Sequence, residues 1–98
     1  MKPDIVVTRH KALVQYLKEQ GLIDENTQIV SHIDNPDIIK NKIVLGVLPH
    51  SLSCLTKEYW EISLNLPPEL RGKELSVEDI KKYSKGLKRY IVIVSGEV

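Results

Sequence analysis

Ninety-eight residues, 42% of them hydrophobic and none a phenylalanine, bound the chain to one domain with an aliphatic core that hides roughly 60 to 65% of its unfolded surface. Fourteen Lys and Arg against thirteen Asp and Glu leave a net charge of +1, so no global field draws the protein to long nucleic acid or to a membrane surface, and any anion site must be local. One cysteine, Cys54, excludes an internal disulfide and a thiol metal cluster, and is expected to pack in the core of a protein from a reducing compartment.

The chain opens on Met1-Lys2-Pro3-Asp4, with no extended apolar segment before the first strand. No stretch approaches the roughly 18 apolar residues of a membrane span, so a cytoplasmic location is expected. Ile5, Val6 and Val7 form an apolar run of the kind a strand buried on both faces carries. Residues 9–20 follow as a helix, with Leu13, Tyr16 and Leu17 at helical spacing and Gly21 as its stop. Residues 28–33 read as a second strand, ended by the turn chemistry of Asp34, Asn35 and Pro36, and a short irregular crossover leads on. Residues 43–48 are the most apolar strand and belong at the sheet centre, with Gly46 allowing another backbone or a ligand to come close. Pro49 suits a first helical turn, and a helix over 50–58 follows with Leu52 and Leu55 inward. Residues 59–66 alternate, with Trp60, Ile62, Leu64 and Leu66 on one face of a half-exposed strand. Pro67 to Lys73 is a loop. Ser76, with Asp79 three residues on, resembles a capping box. It starts a third helix whose inward residues are Val77, Ile80, Tyr83 and Leu87. Residues 90–94 supply the last strand. The order implies an α/β fold: a single small Rossmann-like domain over residues 1–98, with a mainly parallel five-stranded sheet flanked by helices.

In such sheets ligands sit at the carboxyl ends of the strands, which here are Thr8-Arg9-His10 and Pro49-His50-Ser51. Thr8 is placed to cap the first helix, leaving the amides of residues 9 to 11 at the sheet edge with the positive helix end behind them. Arg9 offers a fork of donors that matches phosphate oxygens, and His10 can move a proton near neutral pH. A plain cap followed by a solvated Arg-His pair explains the same residues. If the chain switches direction at the first strand, the first and third strands are neighbours and the two turns flank one crevice. His50 is then a second functional imidazole, Pro49 shapes the turn, and Ser51 is a cap or phosphate donor rather than a nucleophile. Helices that open this way are also ordinary. No acid near these turns completes a Ser-His-acid triad. His32 is followed by Asp34, which could orient it, but an exposed strand histidine is the better account. His10, His32 and His50 lack metal-ligand spacing, so no metal site is expected, and the lone Gly46 falls short of a glycine-rich nucleotide loop. Arg71 and Lys73 lie in a loop long enough either to close over a ligand or merely to connect. Lys81, Lys82, Lys85, Lys88 and Arg89 read as a solvated basic face.

Three segments together, Thr8-Arg9-His10, Gly46-Val47-Leu48-Pro49 and Leu66-Pro67-Pro68-Glu69-Leu70-Arg71-Gly72-Lys73-Glu74-Leu75, resemble the small stand-alone CRISPR-associated ring nucleases. The last segment is the most specific, and the resemblance spans nearly the whole chain. Thr8 stands where serine is as common, which keeps the hydroxyl. The resemblance implies a single domain of type III CRISPR systems, related to the CRISPR-associated Rossmann fold. Its ligand would be the second messenger cyclic tetra-adenylate, and its effect would be to switch signalling off. It also implies a metal-independent reaction without cofactors, in which a ribose 2′-hydroxyl attacks the adjacent phosphodiester and leaves a 2′,3′-cyclic phosphate and a free 5′-hydroxyl. Arg9 and helix amides would then neutralise the phosphorane, and His10 or His50 would protonate the leaving oxygen. Arg71 and Lys73 would help enclose the ring. A cyclic tetranucleotide can present two-fold symmetry, so a homodimer would set two copies of each turn around one ring and release two linear di-adenylates. Two rivals remain open: a sponge or sensor that holds the messenger intact, and a dimerising scaffold with no nucleotide ligand.

Overall fold

The computed structural model describes residues 1–98. Its elements are β1 (Ile5–Val7), α1 (Lys11–Glu19), β2 (Gln28–Val30), β3 (Ile43–Gly46), α2 (His50–Ser53), β4 (Glu58–Leu64), α3 (Val77–Tyr83) and β5 (Ser84–Tyr90), with 3₁₀ turns at Pro36–Ile38 and Pro68–Leu70. The strands form one five-stranded sheet in the order β2-β1-β3-β4-β5. The pairs β1–β2, β1–β3 and β3–β4 are parallel, and β4–β5 is antiparallel. The fold is therefore a small α/β domain with a mixed sheet, and β3 occupies its centre.

Both faces of the sheet are covered, which is why β1 and β3 are continuously aliphatic. Val6, Leu45 and Trp60 face α1 and α3, where Leu17 and Ile80 complete one core. Ile5, Val7 and Val44 face the other way, against Ile39 and the inner residues Leu52 and Leu55. Burial of Tyr16 and Leu17, with Leu13 packed beside them, agrees with the helical spacing. Cys54 is only half-buried and donates to the Ser51 carbonyl rather than filling the core.

Several boundaries differ from the sequence reading because tertiary pairing overrides local pattern. The first helix starts at Lys11, not at residue 9. The Thr8 N–H donates to the Val30 carbonyl at 2.9 Å, which prolongs the β1–β2 ladder and holds Thr8 outside the helix. β2 stops at Val30, not 33, because its one partner strand ends there. β3 stops at Gly46, not 48, since the Leu48 N–H turns off the ladder to the Tyr59 hydroxyl. α2 ends at Ser53, not 58, because the Lys57 N–H donates to the Lys42 carbonyl at 2.8 Å and has already joined the sheet.

The largest departure is at the end of the chain. The capping box at Ser76 and Asp79 is formed in both directions, but the helix closes at Tyr83, and the last strand is Ser84–Tyr90 rather than residues 90–94. Leu87 therefore reaches the core from a strand, opposite Ile62 on β4, and not from the helix. Gly86, at φ +90°, takes a backbone conformation that side chains disfavour. The lysines and arginine read as a solvated basic face sit largely on this outermost strand, where charge blunts pairing with other chains.

Candidate functional site

The carboxyl ends of β2, β1 and β3 lie side by side, so the segments after them converge on one edge of the sheet. Close approach between β1 and β3 depends on Gly46. A Cβ there would stand 2.5 Å from the Val7 carbonyl oxygen. Two cavities open on this edge. The larger, about 590 Å³, lies on the α1 and α3 face, with apolar walls from Leu13, Leu64, Leu66 and Leu75 and with Lys73 at its margin. The smaller, about 520 Å³, lies on the α2 face and is bordered by Ser31, His32, Leu48 and Pro49. Val7, Thr8, Arg9, His10 and Val47 line both, so the two are lobes of one trough divided by the Thr8–His10 turn.

Thr8 does not cap α1. The N-cap position is His10, with no side-chain capping bond, and the Thr8 hydroxyl accepts from the His10 N–H at 3.1 Å. This local bond closes the turn and uses up one of the amides expected to face an anion. The backbone N–H groups of Arg9, Lys11 and Ala12 have no acceptor within the chain. Arg9 and Lys73 enter no ion pair, so the guanidinium and the ammonium are both free for an anion at the trough.

The second turn is divided. Pro49 lines the smaller lobe, but His50 and Ser51 face a separate cleft of about 470 Å³ formed with the chain end, Val92 to Gly96. Thr8, Arg9, His10, Pro49 and Lys73 are thus brought together, and His50, Ser51 and Arg71 are not among them. Arg71 instead donates from Nε to the Leu66 carbonyl at 3.3 Å, which braces the loop.

Two further groups shape the trough. Tyr59, buried on β4, donates its hydroxyl to the Gly46 carbonyl at 2.7 Å and accepts from the Leu48 N–H at 3.0 Å. It therefore pins both sides of Val47, which projects into solvent. Burial pushes the Tyr59 phenol above its ordinary 10.0, and the charges of Glu61 and Tyr90 add to the rise, while the Leu48 amide opposes it. A hydroxyl two strands away from the turn left no local trace in the sequence.

The second group is His32, which the sequence reading set aside. It stands just past β2, Nε2 lies 2.9 Å from Asp34 Oδ1, and Nδ1 lies 3.1 Å from Ser31 Oγ. The His-x-Asp spacing at a strand end was the available signal. No three His, Cys, Asp or Glu side chains gather in a set able to hold a metal ion, and no helix is long and apolar enough to cross a membrane.

Residues 5–93 match the model of a family described as "Putative CRISPR-associated protein (Cas_VVA1548)". No curated protein and no solved structure matches the chain.

Proposed function

The chain belongs to the Cas_VVA1548 family of CRISPR-associated proteins, and from that premise we propose that it is a ring nuclease that binds cyclic tetra-adenylate and cleaves it to end type III CRISPR signalling. The observation that carries the reading is the Thr8–His10 turn at the junction of two lobes, with an unpaired Arg9 and an unpaired Lys73 beside apolar walls. Cations beside apolar surface suit a ligand that alternates phosphates with flat bases.

In the proposed reaction the 2′-oxygen of one ribose attacks the adjacent phosphorus in line, and the bond from phosphorus to the 5′-oxygen breaks. Arg9 and the open amides of the turn stabilise the extra charge of the phosphorane. His10 gives a proton to the departing 5′-oxygen. The residues implied for these roles ask nothing of a metal or cofactor. Each lobe has the volume of a site for a drug-sized ligand, smaller than a ring of four nucleotides. A homodimer that sets two troughs around one ring would meet that demand and yield two linear di-adenylates, each with a 2′,3′-cyclic phosphate. The proposed setting is the cytoplasm, where this messenger would be met.

Incubating the protein with labelled cyclic tetra-adenylate and excess chelator tests the reading. Conversion to linear di-adenylate over many turnovers supports it, and a ring left intact sinks the catalytic claim. One observation favours the rival of capture without cleavage: His50 lies outside the trough, which leaves His10 alone of the two imidazoles that the resemblance offers as proton donor. Tight binding with the ring unchanged would establish that rival.

A further inference from the structure

We infer that His32 is the general base of this site, held by Asp34 and positioned to take the proton of the attacking ribose 2′-hydroxyl; the inference rests on the ring-nuclease reading above. Three side chains from four consecutive residues form a line at the end of β2. Asp34 Oδ1 lies 2.9 Å from His32 Nε2, and Ser31 Oγ lies 3.1 Å from His32 Nδ1. An ionised carboxylate can only accept, so Nε2 carries the hydrogen that it donates to Asp34. With the ring neutral, the lone pair is on Nδ1, and the Ser31 hydroxyl is placed to donate to it. This is the order of acid, imidazole and hydroxyl by which an imidazole base is oriented toward an alcohol.

Placement gives that arrangement its use. His32 and Ser31 border the same lobe as Arg9 and His10, and the bond from the Thr8 N–H to the Val30 carbonyl ties the β2 end to the phosphate turn. The groups bordering this lobe from β3 and α2 are Val47, Leu48, Pro49 and Leu52, none of them charged. The alcohol delivered by the substrate is a ribose 2′-hydroxyl. Ser31 is exposed and gives up its place by rotation about χ1, leaving Nδ1 to the ribose oxygen.

The step balances with His10 as its counterpart. Nδ1 of His32 takes the 2′ proton as the oxygen–phosphorus bond forms. The bond from phosphorus to the 5′-oxygen breaks, and that oxygen takes a proton from the His10 imidazolium. Exchange with water returns both rings to their starting states.

Single-turnover cleavage and equilibrium binding of cyclic tetra-adenylate by the full chain test the assignment. His32→Ala should slow cleavage by about 10²- to 10⁴-fold with binding unchanged, and added imidazole should restore part of the rate to this variant alone. His32→Gln, which keeps a hydrogen-bonding side chain, should be equally slow. Asp34→Asn should slow cleavage less than His32→Ala does. Wild-type protein that cleaves while either His32 variant cleaves as fast, or a His32→Ala variant deaf to imidazole, overturns the role of His32 and leaves the ring-nuclease reading in place. Wild-type protein that binds without cleaving overturns both.

Discussion

Replacing Gly46 with alanine sets two opposed effects against each other, and the structure decides between them. Gly46 ends β3 directly opposite Val7 of β1, and its φ lies outside the left-handed region. An alanine there would adopt the backbone without strain and would stiffen the unfolded chain, a gain of about 0.4 to 1 kcal/mol. Against this, the new Cβ would stand 2.5 Å from the Val7 carbonyl oxygen and 3.2 Å from the Val7 Cβ, where ordinary contact begins at 3.4 Å. The nearest atom is backbone in the middle of a ladder, so it yields only if the two strands part. Overpacking of this kind costs about 1 to 3 kcal/mol, so the middles of the two ranges leave a net loss of about 1.3 kcal/mol. For a domain of this size that lowers Tm by roughly 5 to 10 °C. Val7 also lines both lobes, so cyclic tetra-adenylate should bind Gly46→Ala more weakly even well below its Tm. Thermal unfolding followed by circular dichroism, with binding measured at 20 °C below the midpoint of each protein, reads both effects. A variant that melts at or above the wild-type temperature would refute the reasoning.

Tyr59→Phe leaves the Gly46 carbonyl and the Leu48 N–H without the hydroxyl that joins them and should cost about 1 to 3 kcal/mol in urea unfolding. The folded protein holds the Tyr59 proton to higher pH than the unfolded chain, which releases it near 10.0. The stability this provides is complete below pH 10 and is lost as pH rises through the higher folded value, so the alkaline fall should be shallower in Tyr59→Phe. Ser76→Ala removes half of the capping box and should cost about 0.5 to 2 kcal/mol with ligand affinity unchanged at a temperature where both proteins are folded. Arg9→Ala should weaken cyclic tetra-adenylate binding by roughly 10- to 100-fold, the worth of a charge-assisted contact, as read by titration calorimetry. In the same titration Lys73→Ala should lose more affinity than Arg71→Ala, because only Lys73 borders the trough.

What the sequence made legible follows the range of the interactions involved. The aliphatic strands Ile5–Val7 and Ile43–Gly46, the amphipathic helix around Leu13 and Leu17, and the Ser76 capping box all carry their signal within a few residues, and all were found. The last strand was misplaced because Tyr90 to Val94 has the better local pattern for a strand. The actual strand is chosen by Trp60 and Ile62 across the sheet, against Arg89 and Leu87. The placement of Thr8, Arg9 and His10 at the sheet's carboxyl edge, beside both cavities, is legible because it follows directly from the end of an aliphatic strand. The placement of His50 is not legible, because proximity of two turns does not fix which residues of each face inward: Pro49 faces the trough and His50 the chain end. The position of His32 beside the Arg9 turn is not legible, because nothing in its own neighbours shows that β1 and β2 pair through Thr8.

The single bond from the Thr8 amide to the Val30 carbonyl has a consequence for dissecting the molecule. It joins segments 22 residues apart, and every parallel pairing that shapes the trough likewise waits on a distant partner, so loop closure must precede any reward. No excised peptide containing the Thr8–His10 turn will reproduce the site. The same amide is a built-in gauge of the edge: its hydrogen exchange, measured with and without nucleotide, separates ligands that clamp the ends of β1 and β2 together from those that merely rest on the rim.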